Sequence, residues 1–341
     1  MSARAKRPKP EIEALVVGGG SFGTALATLL ARNHRKVLLW VRREEQAHEI
    51  NRNHSNKTYF PGKPLPPQLR ATTDLAEAMG QVPVLFVAVP TKGFRDVARQ
   101  IGDHLTGDQI LIHATKGIEP GTFKRMSEVL REETCGLKVG VISGPNLAEE
   151  LMDGNPAGAT VASHYDEAAL KAQELFQGSP LRLYATRDVI GTEIGGAFKN
   201  IIALMSGAAQ GLKFGANTKA LIVTRGLAEM ARYGIALGAE EATFSGLAGI
   251  GDLMATCSST LSRNFRTGLR YAQGEKLEDI LGSSHQVVEG VPATLAVHQQ
   301  AQALGLDLPM VRAVYGAFYE GREIQDLLAG LMERRTGREI P

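Results

Sequence analysis

The stretch Ala14-Leu-Val-Val-Gly18-Gly-Gly20-Ser-Phe-Gly23-Thr-Ala-Leu-Ala-Thr-Leu-Leu-Ala31 decides the fold. Its first residues are an apolar run of the kind buried strands show, and Thr24 onward reads as a helix. Between them lies G-x-G-x-x-G, in the strand–turn–helix context that gives the pattern meaning. Gly18 permits the tight turn, Gly20 lets a pyrophosphate approach the backbone, and Gly23 lets helix and strand pack closely. The free N–H groups and the dipole at the helix start then face the phosphates, with Ser21 and Phe22 beside them. A plain glycine-rich turn is the competing reading. A second strand at the right distance favours dinucleotide binding.

That strand is Lys36–Val41, and Arg42-Arg43 follow it. An NAD-selective site usually has a carboxylate about 20 residues past the glycines, bonded to the ribose 2′-hydroxyl. Two guanidiniums accommodate a 2′-phosphate instead, so the expected cofactor is NADP(H), with NAD(H) as the alternative. Against this, the arginines read as solvated residues opening a helix, their field blunted by Glu44 and Glu45.

Working outward, 49–69 is polar and proline-rich, a loop or excursion. Continuous apolar runs follow at Val84–Pro90, Ile110–Ala114 and Val139–Ile142, as buried parallel strands require. The last two end in Thr115-Lys116-Gly117 and Ser143-Gly144-Pro145-Asn146. Ligands in open α/β sheets bind at the carboxyl ends of strands, which marks Lys116 and Asn146; each also reads as an ordinary turn residue. Gly158–Ser163 and Leu181–Ala185 extend the sheet, and a dinucleotide-binding domain over 11–188 closes near Asp188.

From Val189 the strand patterns stop, and 189–341 reads as a second, all-helical domain. Ile194, Phe198, Ile201, Ile202, Met205 and Ala208 recur at helical spacing around Lys199-Asn200, so a lysine falls on a mostly buried helix. A desolvated lysine with a polar neighbour is a candidate proton donor, and a snorkelling lysine is the bland alternative. Ser245-Gly-Leu-Ala-Gly-Ile-Gly-Asp252 sets a carboxylate after spaced glycines, for ligand chemistry or as a helix cap. Ser262-Arg263-Asn264 clusters donors suited to a phosphate ester, while Arg266 and Arg270 read as a charged helix face.

Composition bounds the rest. A chain of 341 residues with net charge +2 gives no reason to expect nucleic acid or an anionic membrane as partner. Cys135 and Cys257 lack metal-type spacing and favour a reducing compartment, with no metal expected. Residues 1–10 are basic without a secretory apolar stretch and read as a frayed tail. No run long enough to span a membrane occurs, so cytoplasm is the expectation.

Taken together, Gly18-Gly-Gly-Ser-Phe-Gly-Thr24, Thr115-Lys-Gly117, Ser143-Gly-Pro-Asn146, Gly195-Gly-Ala-Phe-Lys-Asn200, Gly246-Leu-Ala-Gly-Ile-Gly-Asp-Leu253 and Leu261-Ser-Arg-Asn264 resemble the soluble two-domain NAD(P)-dependent glycerol-3-phosphate dehydrogenases. The resemblance implies a Rossmann-type domain with a mostly parallel sheet followed by a helical domain. It implies reversible reduction of dihydroxyacetone phosphate to sn-glycerol 3-phosphate, for glycerophospholipid synthesis, by a homodimer. Lys199 corresponds to the general acid/base, with Asp252 beside it. Lys116, Gly144, Asn146, Asn200, Asp252, Ser262, Arg263 and Asn264 correspond to substrate positions. Gly18, Gly20, Ser21, Phe22, Gly23, Arg42, Arg43, Lys116, Ala148, Arg263, Val287 and Glu289 correspond to cofactor positions, Glu289 lying in Gln286-Val-Val-Glu289-Gly. Bacterial members usually carry Ser or Thr where this chain has Asn146, and Ala where it has Gly19. Two other readings share the motifs: a related dehydrogenase of another hydroxy acid or sugar acid phosphate, and a non-catalytic NADP(H) sensor.

Overall fold

The computed structural model describes residues 12–80, 82–283 and 287–333, so the tail 1–10 and Gln286 lie outside the described residues. The strands β1 (Ala14–Val17), β2 (Val37–Trp40), β3 (Arg70–Thr72), β4 (Val84–Val87), β5 (Ile110–His113), β6 (Lys138–Ser143), β7 (Ala157–Ser163) and β8 (Leu181–Thr186) form one sheet. Its order is β3-β2-β1-β4-β5-β6-β7-β8. Every neighbouring pair is parallel except β6 and β7, which run antiparallel. β1, β4 and β5 are apolar because both faces are covered by helices; the edge strand β8 alternates buried Leu181 and Leu183 with exposed Arg182 and Tyr184.

Two differences from the sequence reading concern the segment after β2. The helix Glu44–Asn53 runs into the stretch expected to be a loop, and the short strand β3 follows it. Arg70 is exposed in β3, so its three residues carry no apolar run to read.

After β8 the chain is helical. Asp188 caps the helix Val189–Gly211, its side chain accepting from Gly191 N. Nearly every residue of this helix is buried, as a helix apolar on all sides must be. Around it pack the helices Ala216–Ala236, Asp252–Ser258, Arg263–Ala272, Gly290–Ala303 and Pro309–Tyr319. Its crossing with Arg263–Ala272 is close because both contact residues are glycine. A Cβ added at Gly207 would stand 1.9 Å from Phe265 O, and one at Gly268 1.9 Å from Leu204 O.

The same helix docks against the sheet side through Glu193. Its carboxylate accepts from Arg125 Nη1 (2.6 Å), Ser127 N (2.8 Å) and Ser127 Oγ (2.7 Å), with His113 Nε2 3.0 Å away. Burial alone would raise the Glu193 carboxyl; His113, Arg125 and the Ser127 N–H outweigh it and hold it at about 2. Because this lies below the ordinary 4.5, the stabilisation is complete above 4.5 and is lost as pH falls through about 2. Glu193→Gln is therefore expected to cost about 3–5 kcal/mol at neutral pH. In urea unfolding the gap between wild type and variant should narrow in acid; an equal gap at both pH values would show that the charge is not what stabilises.

Candidate active site

The site is built at the carboxyl ends of β1, β4, β5 and β6. Gly18 leaves β1 with φ +118 and donates its N–H to Trp40 O, 3.0 Å away. A Cβ there would stand 2.5 Å from Ala88 O, and one at Gly23 would stand 1.9 Å from Gly18 O. A Cβ at Gly20, by contrast, would meet nothing within 4 Å. The helix Ser21–Arg32 starts here without a side-chain cap, so its first N–H groups have no partner from a capping residue. Ser21 Oγ is buried without a partner among the described residues. Open space beside uncapped N–H groups and a free hydroxyl fits the phosphates of a dinucleotide. Gln46 Nε2 (2.6 Å) and Asn56 Nδ2 (3.2 Å) donate to Gly19 O and fix the loop from behind. Arg42 and Arg43 are exposed at the end of β2 with no ion-pair partner among the described residues. The Glu44 carboxylate accepts instead from Thr73 Oγ1.

The catalytic candidates meet at one buried carboxylate. A widened π-type turn over Leu247–Gly251 delivers Asp252, which is 1% exposed and begins a helix without capping it. Gly195 lets this turn come close: a Cβ there would lie 2.1 Å from Ala248 O. Asp252 Oδ1 stands 2.5 Å from Lys199 Nζ and Oδ2 2.7 Å from Lys116 Nζ. Lys116 Nζ also donates to Asn146 Oδ1 (2.9 Å) and Gly144 O (3.0 Å), and lies 5.9 Å from the Phe22 ring centroid. Lys199 Nζ donates further to Thr256 Oγ1, 2.8 Å away.

An ammonium has three protons. Those of Lys116 all have acceptors, whereas Lys199 has acceptors for two among the described residues and lines the adjoining cavity. Burial pushes Lys116 down to about 7 against the attraction of Asp252, and the Lys199 charge adds to the lowering. Burial would raise the Asp252 carboxyl, but Lys116 and then Lys199 hold it below its ordinary range.

The cavity, about 160 Å³, is walled by Ser21, Ala148, Lys199, Asn200, Thr256 and the helix start Ser262-Arg263-Asn264, with Arg266 at its edge. Ser262 caps that helix by accepting from Phe265 N. Asn200 and Asn264 brace the wall. Asn200 Nδ2 donates to Lys116 O (3.2 Å), Asn264 Nδ2 donates to Asn200 Oδ1 (2.8 Å), and Asn264 Oδ1 accepts from Gly290 N (2.9 Å). Arg263 Nη1 donates to Val287 O (2.7 Å), and Glu289 Oε1 accepts from Thr91 N (3.1 Å). Burial raises the Glu289 carboxyl, opposed by the Thr91 hydrogen bonds and Arg263.

Of the candidates singled out in the sequence, Ser21, Ala148, Lys199, Asn200, Ser262, Arg263 and Asn264 line the cavity, Lys116, Gly144, Asn146 and Asp252 join Lys199 in one cluster, and Arg42 and Arg43 stand at the end of β2. Lys199 is buried, so the snorkelling alternative fails, and Asp252 pairs with lysines where a cap was the alternative. Arg266 is exposed on its helix and also lines the cavity, while Arg270 is paired with Glu275. Thr256, Gln46 and Asn56 were missed. Thr256 had a usable signal, standing four residues after Asp252 on one helix face.

A dinucleotide turn facing a buried lysine–carboxylate centre defines a nicotinamide-dependent dehydrogenase. Family models for the NAD-dependent glycerol-3-phosphate dehydrogenase N-terminus and C-terminus match residues 13–169 and 188–329. The chain belongs to that family. It is 45% identical over 328 residues to glycerol-3-phosphate dehydrogenase (NAD(P)+) of Lysinibacillus sphaericus, covering 95% of this chain and 97% of the relative. It is also 45% identical over 322 residues to that of Enterococcus faecalis, covering 94% and 95%. The crystal structure of glycerol-3-phosphate dehydrogenase from Coxiella burnetii superposes with a TM-score of 0.91 at 33% identity, covering 95% of this chain and all of that one.

The carboxylate is what opposes the effect of burial at Lys116. Asp252→Asn removes the attraction that opposes burial at Lys116, so the ammonium should deprotonate at lower pH still. The alkaline limb of the pH–rate profile is expected to move down by roughly 1–3 units. Profiles of wild type and variant that share that limb would refute the coupling.

Proposed function

We propose that this chain transfers a hydride reversibly between NADP(H) and dihydroxyacetone phosphate, giving sn-glycerol 3-phosphate for glycerophospholipid synthesis. The observation that carries the reading is Asp252 clamped between two lysines, one of which keeps a proton for the cavity. When bound, the nicotinamide supplies or accepts the hydride. Reducing the ketone creates an alkoxide, which needs a proton donor and positive charge beside the oxygen. Lys199 provides both and, in the reverse direction, takes the proton back. Asp252 and Thr256 aim its ammonium, and Lys116 holds the other oxygen of Asp252. Asn146 and Gly144 hold Lys116 in place. Arg263 and the helix start at Ser262 and Asn264 take the substrate phosphate, so that the carbonyl is presented in attack geometry.

In this reading residues 11–188 hold the cofactor and 189–341 the catalytic groups. The glycine turn with Ser21 and Phe22, together with Ala148, Val287 and Glu289, contacts the dinucleotide. Arg42 and Arg43, exposed and without a carboxylate partner among the described residues, favour NADP(H) over NAD(H). The family resemblance supports a homodimer. Cytoplasm remains the expected location, and no helix among the described residues is long and apolar enough to cross a membrane.

The direct test is oxidation of NADPH and NADH with dihydroxyacetone phosphate. Lys199→Met should keep the fold and cofactor affinity and lose at least about 10²-fold in turnover, the lower end of what general acid catalysis contributes. Retention of more than about a tenth of wild-type turnover would be far too much for an enzyme without its acid. Arg42→Ala should weaken NADPH about ten- to a hundredfold and NADH little, because only NADPH has the 2′-phosphate. Equal losses for both cofactors would take Arg42 out of that contact.

A further inference from the structure

We propose that Arg266 is a second guanidinium for the substrate phosphate, standing at the cavity edge and drawing the dianion toward Arg263. The proposal rests on the phosphate-ester reading above. Arg266 lies one turn beyond Arg263 on the helix Arg263–Ala272 and lines the same cavity as Lys199 and Asn264. Its side chain is held in place: Nη1 donates to Thr260 O, 2.8 Å away. That uses one of five guanidinium donors. No carboxylate pairs with Arg266 among the described residues. Arg270, a further turn along, contrasts with it in facing Glu275, to which both Nε and Nη2 donate.

The surrounding charges favour an anion at this edge. Burial disfavours the charged form of Arg263, and Arg266 beside it acts in the same direction, with Glu289 opposing. Glu149 also lines the cavity, but its carboxylate is 3.0 Å from Lys63 Nζ and its field is blunted there. The two neighbouring guanidiniums, neither in a salt bridge among the described residues, repel each other, and a phosphate dianion relieves that repulsion. An edge charge of this kind acts on encounter and capture, more than on the chemical step.

The experiment is steady-state kinetics of the full chain with dihydroxyacetone phosphate at saturating NADPH, at low and physiological salt. It is paired with calorimetric binding of glycerol 3-phosphate. Arg266→Gln should raise KM on the order of threefold to tenfold, leave kcat and the KM for NADPH near wild type, and flatten the fall of kcat/KM with salt. Arg266→Lys should preserve the salt dependence, since it keeps the charge and loses only the Thr260 tie. Arg270→Gln removes the same charge away from the cavity and should behave as wild type. A wild-type KM and salt slope in Arg266→Gln would overturn the proposal, as would an equal change in Arg270→Gln. A fall in kcat alone would assign Arg266 to bracing the Thr260 segment and equally overturn it. If the wild type binds glycerol 3-phosphate without turnover, the dehydrogenase reading fails while the calorimetry still decides for or against Arg266. If it neither binds nor turns over phosphate esters, both fall.

Discussion

Asp252 is the constraint on which the site depends. One carboxylate, 1% exposed, pairs with two lysine side chains, one through each of its oxygens. Buried charges are costly, and attraction offsets the cost only where geometry is good and the remaining protons find acceptors. Asn146, Gly144 and Thr256 provide those acceptors. Satisfaction is uneven, and the unevenness sorts the lysines by role. The saturated one, Lys116, is held by three acceptors, and the other, Lys199, lines the cavity.

The cluster exists only when the two parts of the chain are docked, because Lys116 follows β5 while Lys199 and Asp252 lie on helices after residue 188. The seam runs along one face of the helix Val189–Gly211. Glu193 engages Arg125 and Ser127; Gly196 lies against Lys116, where a Cβ would come 2.6 Å from Ser143 Oγ; Asn200 binds Lys116 O. Positions 193, 196 and 200 are spaced i, i+3, i+7, a single stripe on a helix. The docking contacts and the active-site wall are therefore continuous.

Much of this was legible in the sequence where local rules dominate. Strand, glycine turn and helix at 14–31 are set by burial and backbone conformation within a short span, and all of them appear where expected. The buried helix around Lys199 was visible from its periodicity. What the sequence could not carry was pairing across distance. Lys116 and Asp252 are separated by 136 residues, and nothing local states that they touch. The ambiguity over Arg266 has the same origin. It follows Arg263 by three positions and Arg270 follows by four more, so periodicity treats them alike. Only the cavity and the position of Glu275 tell them apart. β3 was missed for another reason: an exposed residue and two small ones pair through backbone, which leaves little side-chain signal.

The polar side chains of the cleft divide into those already used and those held ready. The amides of Asn200 and Asn264 form a chain from Lys116 O to Gly290 N and fix the wall. Asn146 is different. Its Oδ1 is taken by Lys116, and its Nδ2 is buried with no partner among the described residues. Because the amide is planar, fixing the oxygen also fixes where the nitrogen points, so the position is preorganised. An unsatisfied buried donor costs about 1–3 kcal/mol, which an acceptor on a ligand recovers. A Ser or Thr at this position has a hydroxyl that can rotate and a single oxygen to serve both Lys116 and a ligand. With Asn146 the two tasks fall to separate atoms: the oxygen holds Lys116, and the amide nitrogen is left over as a donor.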